Sequence, residues 1–233
     1  MLEDTLKRGL EAMSIPFDGE ALARFRTYYD LLEQRNRVMN LTAISGEDEV
    51  AVKHFLDSAA VLLRFPLAGK RAIDVGSGAG FPGLPLKILV PDLKLTLLDA
   101  QQKRVDFLSE VCAALGYNDV KCLHARAEEA AALRETFDYA LARAVARLNV
   151  LSELCLPFVQ PGGTFLALKG PAAEEELAEA QRALKLLGAE RGEIFDYALP
   201  GEELRHNIVA LRKTAPTPKQ YPRRFAQIKK SPL

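Results

Sequence analysis

Three glycines at alternate positions, Gly76, Gly78 and Gly80, follow Asp74 and Val75 in the stretch DVGSGAGFPGLPLKILV (74–90). Glycine removes the Cβ that would hold a ligand off the backbone, and it tolerates the positive φ of a tight turn. Set between an apolar strand-like run and an apolar helix-like run, such a turn suits a nucleotide-type pocket at the carboxyl end of a parallel strand. A strand-to-helix connection without any ligand would use the same glycines, so the turn alone does not decide. Asp99 closes the next apolar run, 19 residues beyond Gly80. Its carboxylate can accept from both hydroxyls of a ribose, or cap the helix that begins QQKRVDF. After a third run, Ala127 and Glu128 stand where an adenine edge and face would be met; an acidic first helical turn would look the same.

Those residues need a sheet to hold them, and the order of elements supplies one. From Arg71 the apolar runs RAIDV, LKLTLLD, VKCLHA, FDYALAR and GGTFLALKG alternate with helical stretches, PLKILV, QQKRVDFLSEVCAALG, EEAAALRE, LNVLSELCLPFV and AAEEELAEAQRALKLLG. That alternation predicts a parallel sheet with helices on both faces. AERGEIFDYAL and HNIVALRK have only the turn-like PGEEL between them, so the last two strands form an antiparallel hairpin at one edge. The expected fold is therefore α/β, a seven-stranded, mostly parallel, Rossmann-like sheet. Residues 1–66 read as a helical extension, with Asp18 capping one helix and SGED (45–48) forming a capping box for another. Residues 67–213 form the sheet domain and 214–233 a basic tail. The helical extension either covers the pocket or braces the domain, and the brace is favoured.

Composition fixes the setting. The chain has 233 residues, 48% apolar and 27% charged, enough for a substantial core. No window approaches the roughly 18 consecutive apolar residues of a membrane span, and the start carries no signal-like core. A cytoplasmic location without membrane contact is expected. The formal net charge of zero hides an asymmetry, because eight Lys or Arg and no Asp or Glu follow from Arg205 onward. An acidic body with a basic end suits a polyanionic partner; a solvated terminus is the plainer alternative. Cys112, Cys122 and Cys155 are in no CxxC spacing and read as buried apolar residues. The three histidines are not clustered, so no metal is expected.

The glycine spacing excludes two nucleotide classes. Phe81 occupies the place of the third glycine in a dinucleotide fingerprint, and no GK[ST] follows as a P-loop would require. An acid before GxGxG, an acid ending the second strand and a terminal antiparallel hairpin together resemble the class I S-adenosylmethionine-dependent methyltransferases. That resemblance names the cofactor; the residues alone indicate only an adenosine-shaped pocket. The fourth strand ends in DYALARAVARL and lacks the [ND]PP[FYW] stretch of enzymes that methylate exocyclic amines. Carbon-5 pyrimidine methylation needs a cysteine nucleophile, whereas Cys155 lies within an apolar helix. An acceptor that is already nucleophilic, such as guanine N7, remains, and it needs alignment rather than a general base. Arg143 and Lys169, ending strands four and five, are the candidate catalytic residues, holding phosphate or the guanine O6 edge, or else simple strand-end charges.

NLTAI (40–44), HFLDS (54–58), DVGSGAGFPGLPL (74–86), LLDAQQKRVDFL (97–108), RAEE (126–129), ARAVARL (142–148), ALKG (167–170) and TPKQYPRRFAQIKKSPL (217–233) together resemble the RsmG (GidB) family of bacterial 16S rRNA guanine-N7 methyltransferases. The resemblance implies S-adenosylmethionine as donor, S-adenosylhomocysteine as product, and a guanine near the decoding site of the small ribosomal subunit as target. It implies cofactor contacts from Gly76, Gly78, Phe81, Asp99, Ala127, Glu128 and Arg143. Ala100 stands where the family often has Ser. The tail interleaves Tyr221 and Phe225 with Lys219, Arg223, Arg224, Lys229 and Lys230, which suits phosphate contact and stacking on unpaired bases of the 16S rRNA. Pro216, Pro218 and Pro222 predict an extended strap. His54 and Asp57, at helical spacing, face either the pocket or solvent, with solvent favoured for His54. A monomer is expected. A small-molecule or protein methyltransferase, and an RNA-binding factor without activity, are the competing readings.

Overall fold

The computed structural model describes residues 1–143, 146–190, 192–202 and 204–233. One seven-stranded sheet runs in the order β3-β2-β1-β4-β5-β7-β6. Its parallel part is β1 (Arg71–Val75), β2 (Lys94–Asp99), β3 (Lys121–His124), β4 (Phe137–Arg143) and β5 (Val159–Lys169). β7 (His206–Arg212) lies antiparallel between β5 and β6 (Glu193–Tyr197). The expected mostly parallel sheet and its terminal antiparallel hairpin are both present. The chain builds outward from β1 to β3, then returns to place β4 on the other side of β1, so a crevice opens at the carboxyl ends of β1 and β4.

Period-two burial explains why both faces are covered. Along β5, Leu166 and Leu168 enter one core while Phe165 and Ala167 enter the other; along β7, Ile208 and Val209 divide in the same way. Each such aliphatic side chain contributes about 1.5–3 kcal/mol when removed from water. The first face carries α1 (Leu2–Ala12), α2 (Gly19–Met39) and a helical run made of α3 (Glu47–Val50), a π-helical turn (Ala51–Leu56), α4 (Asp57–Ala59) and a 3-10 turn (Ala60–Leu63). α5 (Gly83–Leu89) and α6 (Gln102–Ala114) complete that face. The second face carries α7 (Leu148–Cys155), α8 (Ala173–Glu179), α9 (Gln181–Leu187) and α10 (Phe225–Lys230).

Local chemistry sets several boundaries. Asp18 caps α2 as expected, its carboxylate accepting from the Ala21 N–H at 2.8 Å. The capping box at 45–48 does not form: Gly46 is the N-cap and no side chain bonds there. Glu47 and Asp48 turn to α1 instead, accepting from the Leu2 N–H at 2.8 Å and the Thr5 hydroxyl at 2.6 Å. The Leu2 amide is one that α1 cannot satisfy within itself. EEAAALRE forms two 3-10 turns, Ala127–Glu129 and Ala131–Leu133, rather than a helix.

The tail also departs from expectation. Before Arg224 it is irregular, with a turn at Lys219 and Gln220 closed by the Tyr221 N–H on the Pro218 carbonyl at 3.0 Å, and from Phe225 to Lys230 it is helical, because fully buried Ile228 gives α10 a packing face. Arg134 ties the strap down by donating to the carbonyls of Thr217, Pro218 and Tyr221. Arg223 closes its fork on Glu153 of α7 at 2.8 and 2.6 Å. Among the described residues no helix is long and apolar enough to cross a membrane.

Candidate active site

The turn after β1 is held from below by β2. The N–H groups of Gly76 and Ser77 both bond to the Leu98 carbonyl, at 2.8 and 3.1 Å. The Gly78 N–H donates to Asp99 Oδ2 at 2.9 Å. Gly78 has φ +59°, and a Cβ there would meet only the Gly76 carbonyl oxygen, at 3.9 Å, so the backbone conformation and not crowding calls for glycine. Gly80 is different: a Cβ there would meet the Tyr28 hydroxyl at 2.5 Å and Leu84 at 2.6 Å. It is a glycine so that the N-terminal helices can close on the turn, not for a ligand. Tyr28 completes that contact by donating its hydroxyl to the Ala79 carbonyl.

Two cavities open at the carboxyl edge of the sheet, one at this turn and one at the ends of β4 and β5. One, of about 160 Å³, is almost wholly apolar and is lined by Val75, Gly76, Leu98, Ala100, Ala125, Ala127, Glu128, Leu154 and Phe225 among others. Asp99 adjoins it, 3% exposed, its Oδ1 accepting from the Gln101 N–H at 2.9 Å. Gln101, not Asp99, is the N-cap of α6, so the carboxylate orders the turn rather than capping the helix. An ionised carboxylate offers about four acceptor positions, which leaves room for ribose hydroxyls. Asp74, fully buried, accepts from the Gly83 N–H through Oδ2 at 2.8 Å, while its Oδ1 has no partner. Burial pushes the Asp74 carboxyl up to about 7. An apolar slot with the carboxylate of Asp99 beside it fits the base and sugar of an S-adenosyl ligand.

The second cavity, of about 420 Å³, is polar and is lined by Lys53, His54, Asp57, Arg143, Lys169, Glu176, Tyr197 and His206, among others. Arg143 organises it. Its guanidinium donates to the Lys53 carbonyl at 2.9 Å, Asp57 Oδ2 at 2.8 Å and His54 Nδ1 at 2.9 Å. It also sits 4.8 Å over the Phe81 ring, a cation–π contact of about 0.5–2 kcal/mol. Because Arg only donates, His54 Nδ1 accepts, and the proton resides on Nε2, 2.8 Å from the Thr42 hydroxyl. Asp57 also receives the Tyr197 hydroxyl at 2.6 Å and faces His206 Nδ1 at 3.3 Å. Burial alone would raise the Asp57 carboxyl, but His206, Arg143 and Tyr197 together hold it below its usual range. Asp57 in turn raises the His206 imidazole. Lys169 donates to the Ala146 carbonyl and pairs with Glu176 at 2.7 Å.

His54 is 6% exposed and stacks on Phe81 with ring centroids 4.3 Å apart, so it faces the pocket and not solvent. Burial, then the charge of Arg143, pushes its imidazole down to about 3. The folded state therefore binds this proton less tightly than the unfolded chain, where the group titrates near 6.5. The stabilisation is complete above pH 6.5 and is lost as pH falls toward 3, by up to about 1.4 kcal/mol per unit. His54→Phe, which keeps the stack, is expected to lose stability less steeply over that window. Urea midpoints at neutral pH and near pH 4.5 measure it, and parallel losses in the two proteins would refute the assignment.

The structure thus brings Gly76, Ala127 and Glu128 together at the apolar cavity, with Asp99 and Gly78 beside it, and gathers Arg143 and Lys169 at the polar one. Phe81 packs against Arg143 and His54, beside the polar cavity. Asp57, Tyr197 and His206 join Arg143, although the last two come from the terminal hairpin and carry no motif. Lys219, Arg224, Lys229 and Lys230 are exposed, and Tyr221 is half-buried. Arg223, expected to meet phosphate, is instead taken up by Glu153, which is fully buried. Cys155 is buried in the core and burial pushes its thiol up, so it is no nucleophile. Among the described residues no group of three His, Cys, Asp or Glu could hold a metal ion.

This arrangement has relatives. A protein of Alkaliphilus metalliredigens named ribosomal RNA small subunit methyltransferase G is 46% identical over 98% of this chain and 97% of its own. One of the same name from Alkaliphilus oremlandii is 44% identical over 100% of this chain and 99% of its own. The crystal structure of a SAM-dependent methyltransferase from Aquifex aeolicus shares the fold, with a TM-score of 0.51 at 22% identity over 66% of this chain and 89% of that one. The model of the GidB family, rRNA small subunit methyltransferase G, matches residues 21–204. With that match over most of its length, and relatives 44% and 46% identical nearly from end to end, the chain belongs to the GidB family of rRNA small subunit methyltransferases.

Proposed function

We propose that the protein transfers a methyl group from S-adenosylmethionine to N7 of a guanine in 16S rRNA of the small ribosomal subunit, acting as a cytoplasmic monomer without a metal. When bound, the cofactor supplies a methyl carbon made electrophilic by its sulfonium. The backbone at Gly76, Gly78 and Phe81 would line the cofactor, Asp99 would accept from the ribose, and Ala127 and Glu128 would meet the adenine. Arg143 and Lys169 would hold the guanine O6 edge or its phosphate in the polar cavity. Residues 67–213 form the methyltransferase unit in this reading, 1–66 brace it and also supply Lys53, His54 and Asp57 to the polar cavity, and 214–233 are a strap whose Lys219, Tyr221, Arg224, Lys229 and Lys230 meet RNA.

The observation that carries the acceptor assignment is the match of residues 21–204 to the rRNA small subunit methyltransferase G family. Among the described residues at the polar cavity, Asp57 and Glu176 are both ion-paired and His54 Nδ1 already accepts from Arg143, while His206 Nε2 is left without a partner. Guanine N7 has an in-plane lone pair and no proton to lose, so alignment suffices. Orientation of that kind can supply about 7–11 kcal/mol of the barrier. The test is transfer of a labelled methyl group to small subunits lacking the modification, followed by nucleoside analysis. Label in 7-methylguanosine is expected; label in another nucleoside, or none in RNA, would overturn the reading.

A further inference from the structure

We propose that Phe225 binds the cofactor: its ring forms the outer wall of the adenine subsite and stacks on the base. The inference rests on the S-adenosylmethionine reading and adds a residue to it from the tail. Phe225 lines the apolar cavity together with Val75, Gly76, Leu98, Ala127 and Leu154. The Phe225 N–H donates to Glu128 Oε1 at 3.2 Å, which joins the strap to the carboxylate at the same subsite. Glu128 keeps a second oxygen for the base.

The ring is not on a loose end. Two residues earlier Arg223 is locked to Glu153, the neighbour of Leu154 on α7, and three residues later Ile228 is fully buried. Phe225 itself is 37% exposed, one of the few large apolar side chains that the fold leaves uncovered. A flat base entering the slot would cover it, and aromatic stacking on a base is worth a factor of about ten in affinity. The ring is therefore used by the cofactor and not by RNA.

Calorimetry on the full-length chain tests this with S-adenosylhomocysteine and adenosine as probes. Phe225→Ala is expected to weaken both about tenfold with an unchanged melting temperature, since the ring supports no core, and Phe225→Tyr to stay within about twofold of the parent. The chain contains no tryptophan, so Phe225→Trp installs a single indole whose emission is expected to be quenched as S-adenosylhomocysteine is added. Parent-like affinity in Phe225→Ala, or an indole emission indifferent to saturating ligand, overturns the proposal while leaving the cofactor reading intact. A parent protein with no affinity for S-adenosylhomocysteine overturns both.

Discussion

Arg223→Ala is expected to lower the unfolding free energy by about 3–5 kcal/mol, because it strands a fully buried Glu153 carboxylate without its cation. The loss arises from burial, not from the pair as such. Replacing both partners, Arg223→Met with Glu153→Leu, should recover most of it, as apolar substitutes often match a buried ion pair. Urea unfolding measures the two variants, and limited proteolysis reports whether residues 217–233 come free. A single variant within about 1 kcal/mol of the parent would show that the strap is not held this way. The basic residues of the tail are accordingly unequal: Arg223 fastens the strap, while Lys219, Arg224, Lys229 and Lys230 stay exposed.

Asp57→Ala should be comparably severe, by about 3–5 kcal/mol, and should abolish methyl transfer. Asp57 is the shared acceptor for Arg143, Tyr197 and His206. Without it the guanidinium loses its anionic partner in a site where it is only 13% exposed. Asp57→Asn should not rescue either property, since an amide offers one acceptor oxygen where three donors converge. Parallel denaturation and transfer assays check this. Asn with near-parent stability would mean that the charge of Asp57 is not what holds Arg143. The same cluster gives a pH dependence beyond that of His54. His206 is raised above 6.5 by Asp57, so its contribution is complete below about 6.5 and fades as pH rises past its folded value.

The parallel sheet and glycine turn were legible because they rest on local signals: period-two apolar runs, turn residues and carboxylates at strand ends. His54 was misjudged because the coil around it is not α-helical. Inside a π turn the angular step per residue changes, so the spacing of HFLDS does not predict which side chain faces inward. α10 was missed for a related reason: three prolines speak against a helix locally, and only the buried Ile228 and the Arg223 anchor, both long-range, favour one. Tyr197 and His206 could not be picked out as pocket residues, because no motif marks them. Their position depends on β7 entering between β5 and β6, which topology decides and sequence spacing does not. Gly80 shows the converse error, a correct residue read for the wrong reason, with a neighbouring helix in place of a ligand.

That last contact bears on how the chain matures. Tyr28 precedes its acceptor carbonyl at Ala79 by 51 residues, so on the ribosome the N-terminal helices emerge before the bend they support has been synthesised. A shortened chain beginning at β1 would retain the residues around the apolar cavity yet lose Lys53, His54 and Asp57 from the polar one, together with the surface that supports the bend, and a minimal catalyst cannot be cut from this protein by keeping the sheet alone.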